Sequence, residues 1–296
     1  MKPKSNPLVS VITVNYNSTQ VTLELLQSLR SSTYTSTEII VVDNGSTENP
    51  KTKINNDFPE VQVIRSDKNL GFAGGNNLGI YAAQGDFLFF INNDTEVTPD
   101  LISNLVSILE NNSSIGAISP KIKYFNTNII QYAGYTPMSL ITARNEAIGN
   151  KQEDNDQFAG LHSTPYAHGA AMMVRKSIID KVGLMPEEFF LYYEELDWCE
   201  QMKRAGFSIM VDLSSVIYHK ESMSVGKASP LKLFYQTRNR VLFVRRNMSW
   251  ISQVLFHLYF YWIVSPVKLL QYFVKGEQAY RKAFWRAIRM EEKYRP

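Results

Sequence analysis

Cysteine is almost absent from this sequence of 296 residues, which contains Cys199 alone. A single thiol forms no internal disulfide and supplies no multi-cysteine zinc site. Because a chain without disulfides suits a reducing compartment, we expect a cytoplasmic protein. The apolar run near the N-terminus, Leu8–Val14, has the length and β-branching of a strand and does not resemble the apolar core of a secretory signal.

Long hydrophobic runs are missing as well. The longest unbroken one, Leu258–Val264, is far shorter than the ~20 apolar residues that cross a bilayer as a helix. The hydrophobic content of 44% and the charged content of 20% are nevertheless in the globular range. We therefore expect one large folded domain, alone or with a smaller satellite.

Charge is unevenly distributed along the chain, although the formal net charge is only +3. Residues 227–296 contain 14 Lys and Arg against 3 Glu, so this part carries +11 and residues 1–226 carry −8. Clustering of one sign in a terminal segment is typical of a part that binds an anionic surface. The sequence thus predicts a folded domain over residues 1–226 and a basic extension over residues 227–296.

The basic extension is predicted to be helical from Leu231, and its segment Trp250–Val274 is strongly apolar and aromatic. Basic residues flank this segment on both sides: Arg238, Arg240, Arg245 and Arg246 before it, and Arg281, Lys282, Arg286 and Arg289 after it. The combination predicts an amphipathic helical extension that lies on an anionic membrane surface. A helix packed on the folded domain, with a solvated basic face, is the alternative. Nucleic acid ranks third, and we expect none as a partner, because no recognised binding motif accompanies the charge.

The first ~120 residues alternate between strand and helix patterns, which predicts an α/β fold with a mostly parallel central sheet flanked by helices. The predicted strands are Leu8–Val14, Glu38–Val42, Val61–Arg65, Asp86–Ile91, Ala170–Val174 and Phe207–Val211. A helix is expected from Ser18 or Thr19 to about Ser31, and another after a Thr98 cap. The stretch Asn69–Gly79, rich in glycine and asparagine, is expected to be a loop before a short helix.

Polar side chains follow three of the predicted strands, as Asn15-Tyr16-Asn17, Asp43-Asn44-Gly45-Ser46 and Asn92-Asn93-Asp94. Because ligands of open α/β sheets collect at the carboxyl ends of the strands, we expect a ligand site at this edge. The turn after the first strand contains no glycine, whereas a dinucleotide-binding fold needs glycines there to approach a pyrophosphate. The remaining ligand class is a single nucleotide whose diphosphate is held by a metal ion.

Two of these strand ends carry a carboxylate. Asp43 can accept a hydrogen bond from a pyrimidine N–H or a ribose hydroxyl, or it can simply belong to a turn beside Gly45. Asp94 follows a strand that is apolar on both faces, and a carboxylate fixed there can hold Mg²⁺ or Mn²⁺. An Asx turn that leads to the next helix explains Asp94 equally well.

A third acidic cluster, Glu194-Glu195-Leu196-Asp197, begins a predicted helix behind the aromatic run Phe189–Tyr193. Acidic residues at a helix N-terminus complement the helix dipole, but three carboxylates in four positions exceed what capping requires. Crowding and burial raise a carboxyl pKa, and a raised pKa suits a general base. Two histidines complete the candidates, His219 after a strand-like segment and His168 before Gly169, although a lone histidine is more often a packing or surface residue.

Taken in order, these stretches resemble the family 2 glycosyltransferases, in particular their bacterial rhamnosyltransferase-like branch. The stretches that carry the resemblance are Val9–Asn17, Ile40–Ser46, Asn69–Asn77, Asn92–Asp94, His168–Met172 and Tyr193–Cys199. Each motif alone is weakly specific, but six in this order and at this spacing form a specific signature over residues 8–226. The basic aromatic extension also resembles the C-terminus of that branch.

The resemblance implies a GT-A fold, the nucleotide-diphospho-sugar transferase fold, over residues 1–226, with a UDP- or dTDP-sugar as donor. The residues expected to bind the donor are Thr13, Asn15, Tyr16, Asp43, Asn69, Gly71, Asn77, Asn92 and Asn93. Asp94 and His219 would bind Mg²⁺ or Mn²⁺. Asn92 departs from the DxD motif of the family, because it replaces the first acid and leaves less negative charge beside the metal.

The resemblance assigns the general base to Glu195, which would deprotonate an acceptor hydroxyl group for in-line attack and inversion at the anomeric carbon. Around the acceptor, or bracing the site behind it, the resemblance places His168, Gly169, Glu194, Asp197 and Trp198. Glu194 and Asp197 are the competing assignments for the base, although Asp197 is more consistent with binding the acceptor or bracing the site. The expected acceptor is a glycan or lipid-linked glycan of a cell-surface polysaccharide, met at the inner face of the cell membrane. Rhamnose is the expected sugar.

Two other functions are open from the sequence. A catalytically impaired sugar-nucleotide-binding or scaffold protein of the same fold would explain Asn92, although Glu195 and His219 argue against it. A nucleotidyltransferase on a related fold would need a basic, glycine-rich signature after its first strand, and this sequence lacks one.

Overall fold

The computed structural model of the chain describes residues 6–220 and 229–291. The strands, in chain order, are β1 (Val9–Asn15), β2 (Thr37–Asn44), β3 (Gln62–Ser66), β4 (Phe87–Ile91), β5 (Thr95–Val97), β6 (Ile115–Tyr124), β7 (Ile130–Tyr132), β8 (Leu161–Ser163), β9 (Ala171–Arg175) and β10 (Ser208–His219). The helices are α1 (Thr19–Leu29), α2 (Lys51–Asp57), α3 (Gly71–Ala82), α4 (Leu101–Asn111), α5 (Lys176–Val182), α6 (Glu194–Arg204), α7 (Pro230–Asn247), α8 (Trp250–Leu258), α9 (Ser265–Val274) and α10 (Gln278–Ile288). A 3₁₀ turn at Glu187–Phe189 and a π-helical segment at Tyr259–Val264 complete the elements.

One sheet runs through the domain, in the strand order β3-β2-β1-β4-β9-β6-β10-β5, with β7 paired to β6 and β8 paired to β10. β1 to β4 pair in parallel, as the sequence predicts, so their carboxyl ends share one edge. β9 starts opposite the end of β4, because Ala171 pairs with Ile91, and it therefore runs back along β4 and β6. The sheet is thus parallel in its first half and mixed as a whole.

The alternation of side chains along β4 divides the core in two. Phe87, Phe89 and Ile91 pack with residues of α1 and α4 on one face of the sheet, whereas Leu88 and Phe90 pack with residues of α3 and α6 on the other. All five are at most 3% exposed. Burying each large apolar side chain contributes ~1.5–3 kcal/mol, so β4 firmly anchors the edge of the sheet at which it ends.

Helix α3 differs most from the sequence prediction. The stretch Asn69–Gly79 is expected to be a loop, yet Gly71–Ala82 is helical. Each glycine lowers helix stability by ~1 kcal/mol relative to alanine, so the local propensity is poor. The missing side chains instead permit a close approach to β1, since a Cβ at Gly75 would lie 3.0 Å from Val14 Cγ1. Packing on the sheet therefore overrides local propensity.

Two further predicted boundaries are wrong. Helix α4 begins at Leu101 rather than after a Thr98 cap, because the Thr98 hydroxyl group donates to the carbonyl oxygen of Val216. The strand predicted at Phe207–Val211 and the strand-like Ser215–Tyr218 are one long strand, β10, with a register shift inside it. The last residue of β10 pairs with the first residue of β5, which brings the end of β10 to the edge where β4 ends.

The basic extension begins with α7, which shares a packed core with the domain before it. Phe243 of α7 lies in the hydrophobic cluster of α3 and α6. Arg246 of α7 pairs with the buried Asp197 of α6, with 2.9 Å between Nε and Oδ1. The predicted division at residue 226 lies outside the described residues, and α7, which follows it, packs with the domain that precedes it.

The rest of the extension, α8 to α10, packs on α7 and exposes a broad apolar face. Phe256, Phe260 and Phe284 are at most 3% exposed and lie in one hydrophobic cluster with residues of α7. We call the opposite side of α8, the π-helical segment and α9 the apolar face. It consists of the exposed Trp250, Ile251, Val254, Leu255, Leu258, Trp262, Ile263, Val267, Leu270, Phe273 and Val274. In the parts of the chain that the structure describes, no helix is both long and apolar enough to cross a membrane.

A strained loop, Phe189–Tyr193, precedes α6 and is held by one residue of α7. Phe190, Tyr192 and Tyr193 have positive φ values of 65°, 71° and 77°. Such a conformation costs ~1–3 kcal/mol in a residue that carries a side chain. Asn239 is fully buried, and its Nδ2 donates to three carbonyl oxygens of the loop, each at 2.8 Å. The conformation of the loop therefore depends on α7.

Replacing Asn239 with leucine should lower the free energy of unfolding by roughly 2–4 kcal/mol, because buried carbonyl groups of the loop lose their hydrogen-bond donor. Urea unfolding followed by circular dichroism measures the change. Asn111→Leu, the same change on the exposed surface of α4, should stay within about 0.5 kcal/mol of the wild type. Equal stability of the Asn239→Leu and wild-type proteins would show that the loop needs no support from α7.

Candidate active site

The carboxyl ends of β1 and β2 form a buried polar cluster. Parallel pairing aligns Asn15 with Asp43, and Asn15 Nδ2 donates to Asp43 Oδ1 at 3.0 Å and to Ser46 Oγ at 3.2 Å. Asn15 Oδ1 accepts from Thr22 Oγ1 of α1 at 2.9 Å. The amide of Asn15 is thus engaged within the protein, where it orients the carboxylate of Asp43.

Two buried oxygens of this cluster, Thr13 Oγ1 and Asp43 Oδ2, have no hydrogen-bond partner in the described structure. Both residues are 0% exposed, and Arg65 Nε lies 3.7 Å from Asp43 Oδ2. An unsatisfied buried oxygen costs ~1–3 kcal/mol, so two of them together indicate a place where a ligand supplies the missing donors. Tyr16, in the turn after β1, is 41% exposed and can cover such a ligand.

Gly71 joins this region to the Phe189–Tyr193 loop. Asn69 Oδ1 accepts from Gly71 N at 2.8 Å and so shapes the turn into α3. Gly71 has a φ of +77°, and a Cβ there would overlap the carbonyl oxygen of Phe190. Phe72 N donates to the same carbonyl oxygen at 2.6 Å. The start of α3 therefore docks directly on the loop, and glycine is required at position 71.

Asp94 and His219, at the ends of β4 and β10, are in direct contact. The distance between Asp94 Oδ1 and His219 Nε2 is 3.1 Å, and the residues are 8% and 7% exposed. Gln131 Oε1 lies 2.8 Å from His219 Nδ1. A carboxylate and an imidazole nitrogen this close together can bind one divalent cation jointly.

The Asp94–His219 pair fits Mg²⁺ or Mn²⁺ as a partial set of ligands. Such ions commonly take a few protein ligands and complete their shell with water and substrate phosphate oxygens. Within residues 6–220 and 229–291, no three or more His, Cys, Asp or Glu side chains are grouped so as to hold a metal. Because residue 92 is asparagine, the stretch Asn92-Asn93-Asp94 contributes only one carboxylate to this site.

Glu195 is separated from this pair by His168 and Gly169. A Cβ at Gly169 would lie 3.6 Å from Glu195 Cγ, and the rings of His168 and His219 are 6.4 Å apart. Burial raises the pKa of Glu195 to about 7, against the opposing effect of backbone N–H groups at the start of α6. Glu195 is only half-buried, so an accessible carboxyl group carries a pKa suited to proton transfer at neutral pH.

Glu194 is the more deeply buried of the two adjacent acids, at 3% exposed. Burial first, and the neighbouring Glu195 second, raise the pKa of Glu194 well above its usual range. Its Oε2 has no hydrogen-bond partner in the described structure. Two adjacent buried carboxyl groups disfavour a second negative charge, so the raised pKa values belong to the acid pair as a whole.

The uncharged ring of His168 lies between Glu195 and the Asp94–His219 pair. Burial, and after it the nearby His219, lower the pKa of His168 to about 3. His168 Nδ1 accepts from Ala170 N at 3.0 Å, and its ring stacks on Tyr135 with 5.8 Å between centroids. Because the ring of His168 is uncharged, it offers no positive charge that would stabilise the ionised carboxylate of Glu195.

Two residues expected to bind the donor are engaged elsewhere. Asn77 is 1% exposed, and its Nδ2 donates to the carbonyl oxygen of Met185 at 2.9 Å. The amide of Asn77 thus holds the segment after α5, and its contact with the donor stays a prediction. Asn93 Nδ2 donates to Ser18 Oγ and Thr22 Oγ1 at 3.1 and 3.0 Å, which connects the end of β4 to α1.

Asp197 and Trp198 support α6 from behind and do not line the cleft. Asp197 is 0% exposed and accepts from Asn247 Nδ2 at 2.6 Å, in addition to its ion pair with α7. Trp198 is also 0% exposed, and its Nε1 donates to the carbonyl oxygen of Gly183 at 3.0 Å. The structure thus shows both side chains bracing α6, and their contact with an acceptor stays a prediction.

Several residues around the site belong to no recognisable sequence motif. Gln131 sits between two buried apolar residues of the short strand β7, and Asn239 and Arg240 are among the buried residues of α7. A polar residue on a buried face is the only signal in the sequence for such positions. Each forms a hydrogen bond with a group 47 or more positions away, so the sequence alone does not assign these contacts.

The carboxyl edge of the sheet thus combines three chemical capabilities. A polar cluster with unsatisfied oxygens can receive a hydrogen-bonding ligand, the Asp94–His219 pair can hold a cation that attracts phosphate, and Glu195 can remove a proton at neutral pH. These are the requirements of group transfer from a phosphorylated donor to a hydroxyl group.

Comparison with known proteins agrees with this chemistry. The model of the Glycosyl transferase family 2 matches residues 10–183. The chain is 27% identical over 239 residues to the low-salt glycan biosynthesis hexosyltransferase Agl10 of Haloferax volcanii, covering 79% of this chain and 74% of that protein. It is 23% identical over 270 residues to the N-acetylglucosaminyl-diphospho-decaprenol L-rhamnosyltransferase of Mycobacterium tuberculosis, covering 82% and 86%.

Among solved structures, GalNAc-T7 with UDP, GalNAc and Mn²⁺ matches with a TM-score of 0.66 at 15% identity, over 82% of this chain and 48% of that one. This likeness concerns the fold, and it confirms the GT-A arrangement of a central sheet flanked by helices. The family model covers more than half of the sequence. The chain therefore belongs to glycosyl transferase family 2.

Proposed function

We propose that this family 2 enzyme is a metal-dependent, inverting hexosyltransferase that moves a sugar from a dTDP- or UDP-sugar to a hydroxyl group of a glycan or lipid-linked glycan. The observation that carries the proposal is Glu195, a half-buried carboxyl group with a pKa of about 7. Gly169 lies beside Glu195, and the ring of the preceding residue, His168, lies 6.4 Å from the ring of His219. The proton acceptor and the candidate cation site thus lie on either side of the short segment His168–Gly169.

In the proposed reaction, Glu195 takes the proton of the acceptor hydroxyl group while that oxygen attacks the anomeric carbon. Attack from the side opposite the diphosphate inverts the anomeric configuration. Thr13 and Asp43 hold the nucleotide through their unsatisfied oxygens. A Mg²⁺ or Mn²⁺ ion held by Asp94 and His219 would neutralise the negative charge that develops on the departing diphosphate.

Rhamnose is the proposed sugar. The resemblance to the rhamnosyltransferase-like branch supports it, and so does the relative from Mycobacterium tuberculosis, which is named as a rhamnosyltransferase. The acceptor in that name is a diphospho-decaprenol glycan, which supports a lipid-linked acceptor for this chain as well. Building a cell-surface polysaccharide on such a lipid is the process that we propose.

The extension supports a place at the inner face of the cell membrane. Its apolar face is rich in exposed tryptophan, with Trp250 at 74% and Trp262 at 78% exposed. Beside it, α9 and α10 enclose a groove of about 560 Å³. The groove is lined by Leu269, Leu270, Phe273, Arg281, Lys282 and Trp285. An apolar floor with two cations at its border suits an anionic lipid surface, which would bring the enzyme to a lipid-linked acceptor.

The variant Glu195→Gln should lose at least ~10²-fold in sugar transfer while it still binds the nucleotide, because the amide cannot accept a proton. Transfer is measured with Mg²⁺ or Mn²⁺ and a panel of nucleotide sugars, and nucleotide binding by calorimetry. Glu60→Gln removes an exposed carboxylate far along the chain and should transfer as the wild type does. Equal transfer by the Glu195→Gln and wild-type proteins would refute the base assignment, and nucleotide binding without transfer in both would favour the scaffold function.

The raised pKa of Glu195 sets the expected pH profile. Below about pH 7 the carboxyl group is protonated and cannot accept a proton, so kcat/KM should fall by about tenfold per pH unit on the acid side. Above that value the carboxylate is formed, and kcat/KM should level off. The residual activity of Glu195→Gln should lack this ionisation. A profile that stays flat down to pH 5 would exclude Glu195 as the base.

The double variant Trp250→Glu, Trp262→Glu should bind anionic vesicles at least ~10-fold more weakly, because two large apolar side chains no longer enter the lipid. Co-sedimentation with phosphatidylglycerol-containing vesicles measures the binding, and added salt should weaken it for the wild type. Tyr81→Glu alters another aromatic residue, 72% exposed on α3, and should bind unchanged. Unaltered binding of the double variant would leave the extension as a set of packing helices.

A further inference from the structure

Arg240 of α7 is a deeply buried cation without an acidic partner. It is 6% exposed, and its Nε donates to the carbonyl oxygen of Thr142 at 2.7 Å. The guanidinium group lies over the rings of Phe256 and Phe260, at 5.3 and 5.4 Å. Its Nη2 is buried and has no hydrogen-bond partner in the described structure. The Tyr259 side chain also forms a hydrogen bond with Arg240. Two aromatic faces, one carbonyl oxygen and one hydroxyl group carry no full negative charge, so they compensate only part of a desolvated charge.

Lys121, another buried cation of this protein, is paired with an acid, with 2.8 Å between its Nζ and Asp154 Oδ2. Leaving a buried charge unpaired is costly, which is the reason for such pairing. Within residues 6–220 and 229–291, no carboxylate forms an ion pair with Arg240. The charge of Arg240 therefore lacks a carboxylate partner within the described residues.

A second arginine increases the local positive charge. Arg144, an exposed residue of the segment between β7 and β8, is close enough to act on Arg240. Burial first, and the charge of Arg144 second, lower the pKa of Arg240 to about 10, so Arg240 is still a cation at neutral pH. Two like charges at a site that already lacks an acid would be mutually destabilising without an anion.

The two arginines lie between the catalytic cleft and the apolar face. Tyr193, two positions before Glu195, feels the charges of Arg240, Arg144 and Glu195, and its hydroxyl group donates to the carbonyl oxygen of Ala143 at 3.4 Å. The arginine pair is therefore one aromatic ring away from the base. On its other side are Phe256 and Phe260, in the same helical stretch that exposes the apolar face.

We propose that Arg240 and Arg144 bind the diphosphate group of a lipid-linked acceptor. The inference rests on the proposed function, and it assigns a substrate class that the reactive groups alone do not. Guanidinium groups bind phosphate oxygens through paired hydrogen bonds, and the free Nη2 of Arg240 supplies one of the donors. In this arrangement the acceptor hydroxyl group meets Glu195, the diphosphate meets the arginines, and the lipid chain leaves along the apolar face.

Binding is tested with inorganic pyrophosphate on the full chain, in the presence of a chelator and saturating UDP so that the donor site is filled. The melting temperature of the wild type should rise by several degrees at millimolar pyrophosphate and by less with orthophosphate or with sulfate of equal ionic strength. Arg144→Gln, which alters an exposed residue, and Arg240→Lys, which keeps the charge, should each lose at least half of that rise. Arg30→Gln, at the end of α1, removes an exposed arginine and should keep it.

Transfer is tested with two acceptors, a sugar linked to a short prenyl diphosphate and the same sugar as a methyl glycoside. Both arginine variants should raise KM for the diphosphate acceptor at least ~10-fold and leave KM for the glycoside within twofold, since a charge-assisted hydrogen bond is worth ~1.5–3 kcal/mol. Donor KM should not move. This split separates diphosphate recognition from a general loss of structure.

Failure of each idea has its own signature. A wild type that transfers to neither acceptor contradicts the proposed function, while the pyrophosphate arm still decides whether the arginines hold a diphosphate. A wild type that transfers, with variants that keep the ratio of the two acceptor KM values, overturns the diphosphate site. Arginine variants that lose anionic-vesicle binding but keep acceptor KM would assign the two arginines to phospholipid headgroups and overturn the diphosphate site. A pyrophosphate effect that UDP abolishes would also overturn it.

Discussion

The contact of Asn239 with the Phe189–Tyr193 loop is the interaction on which the cleft depends. One buried amide on α7 satisfies three carbonyl oxygens of a loop that contains three left-handed residues. That loop sets where α6 starts, and hence where Glu194 and Glu195 point. From the other side, the carbonyl group of Phe190 packs against Gly71 at the start of α3, where a side chain would leave no room for it. The acid pair is thus placed by contacts from both ends of the sequence.

The site is assembled from groups that the fold leaves unsatisfied. Thr13 Oγ1, Asp43 Oδ2, Glu194 Oε2 and Arg240 Nη2 are all buried without a hydrogen-bond partner in the described structure. Each costs stability, and β4 with its two hydrophobic layers offsets that cost. Burial also explains the pKa of Glu195, because it destabilises the ionised carboxylate and so raises the pKa to about 7.

Local pattern was sufficient for β1 to β4 and β9 and for the residues that the edge of the sheet brings together, but it missed β5 to β8, including the ten-residue strand β6. Apolar runs ending in polar residues predicted β1 to β4, and the meeting of Asp94 with His219 follows from where β4 and β10 end. Pattern failed where packing decides. The glycines of α3 disfavour a helix locally, yet the helix forms. Asn77 lies in a sequence motif, but its amide donates to the carbonyl oxygen of Met185. The role of Asn239 depends on partners that only the folded chain places nearby.

Helix α7 carries the positive charge that is typical of the extension, but it packs as part of the domain. Its position therefore decides where C-terminal parts can be exchanged between related enzymes. It supplies Asn239 to the loop, Arg246 to Asp197 and Arg240 to the space beneath the cleft. An exchange of C-terminal parts between relatives at the change of charge near residue 226 would separate these partners. An exchange after Asn247 would keep them and replace only α8 to α10. The end of α7 is therefore the point at which the last helices can be exchanged without separating α7 from its partners in the domain.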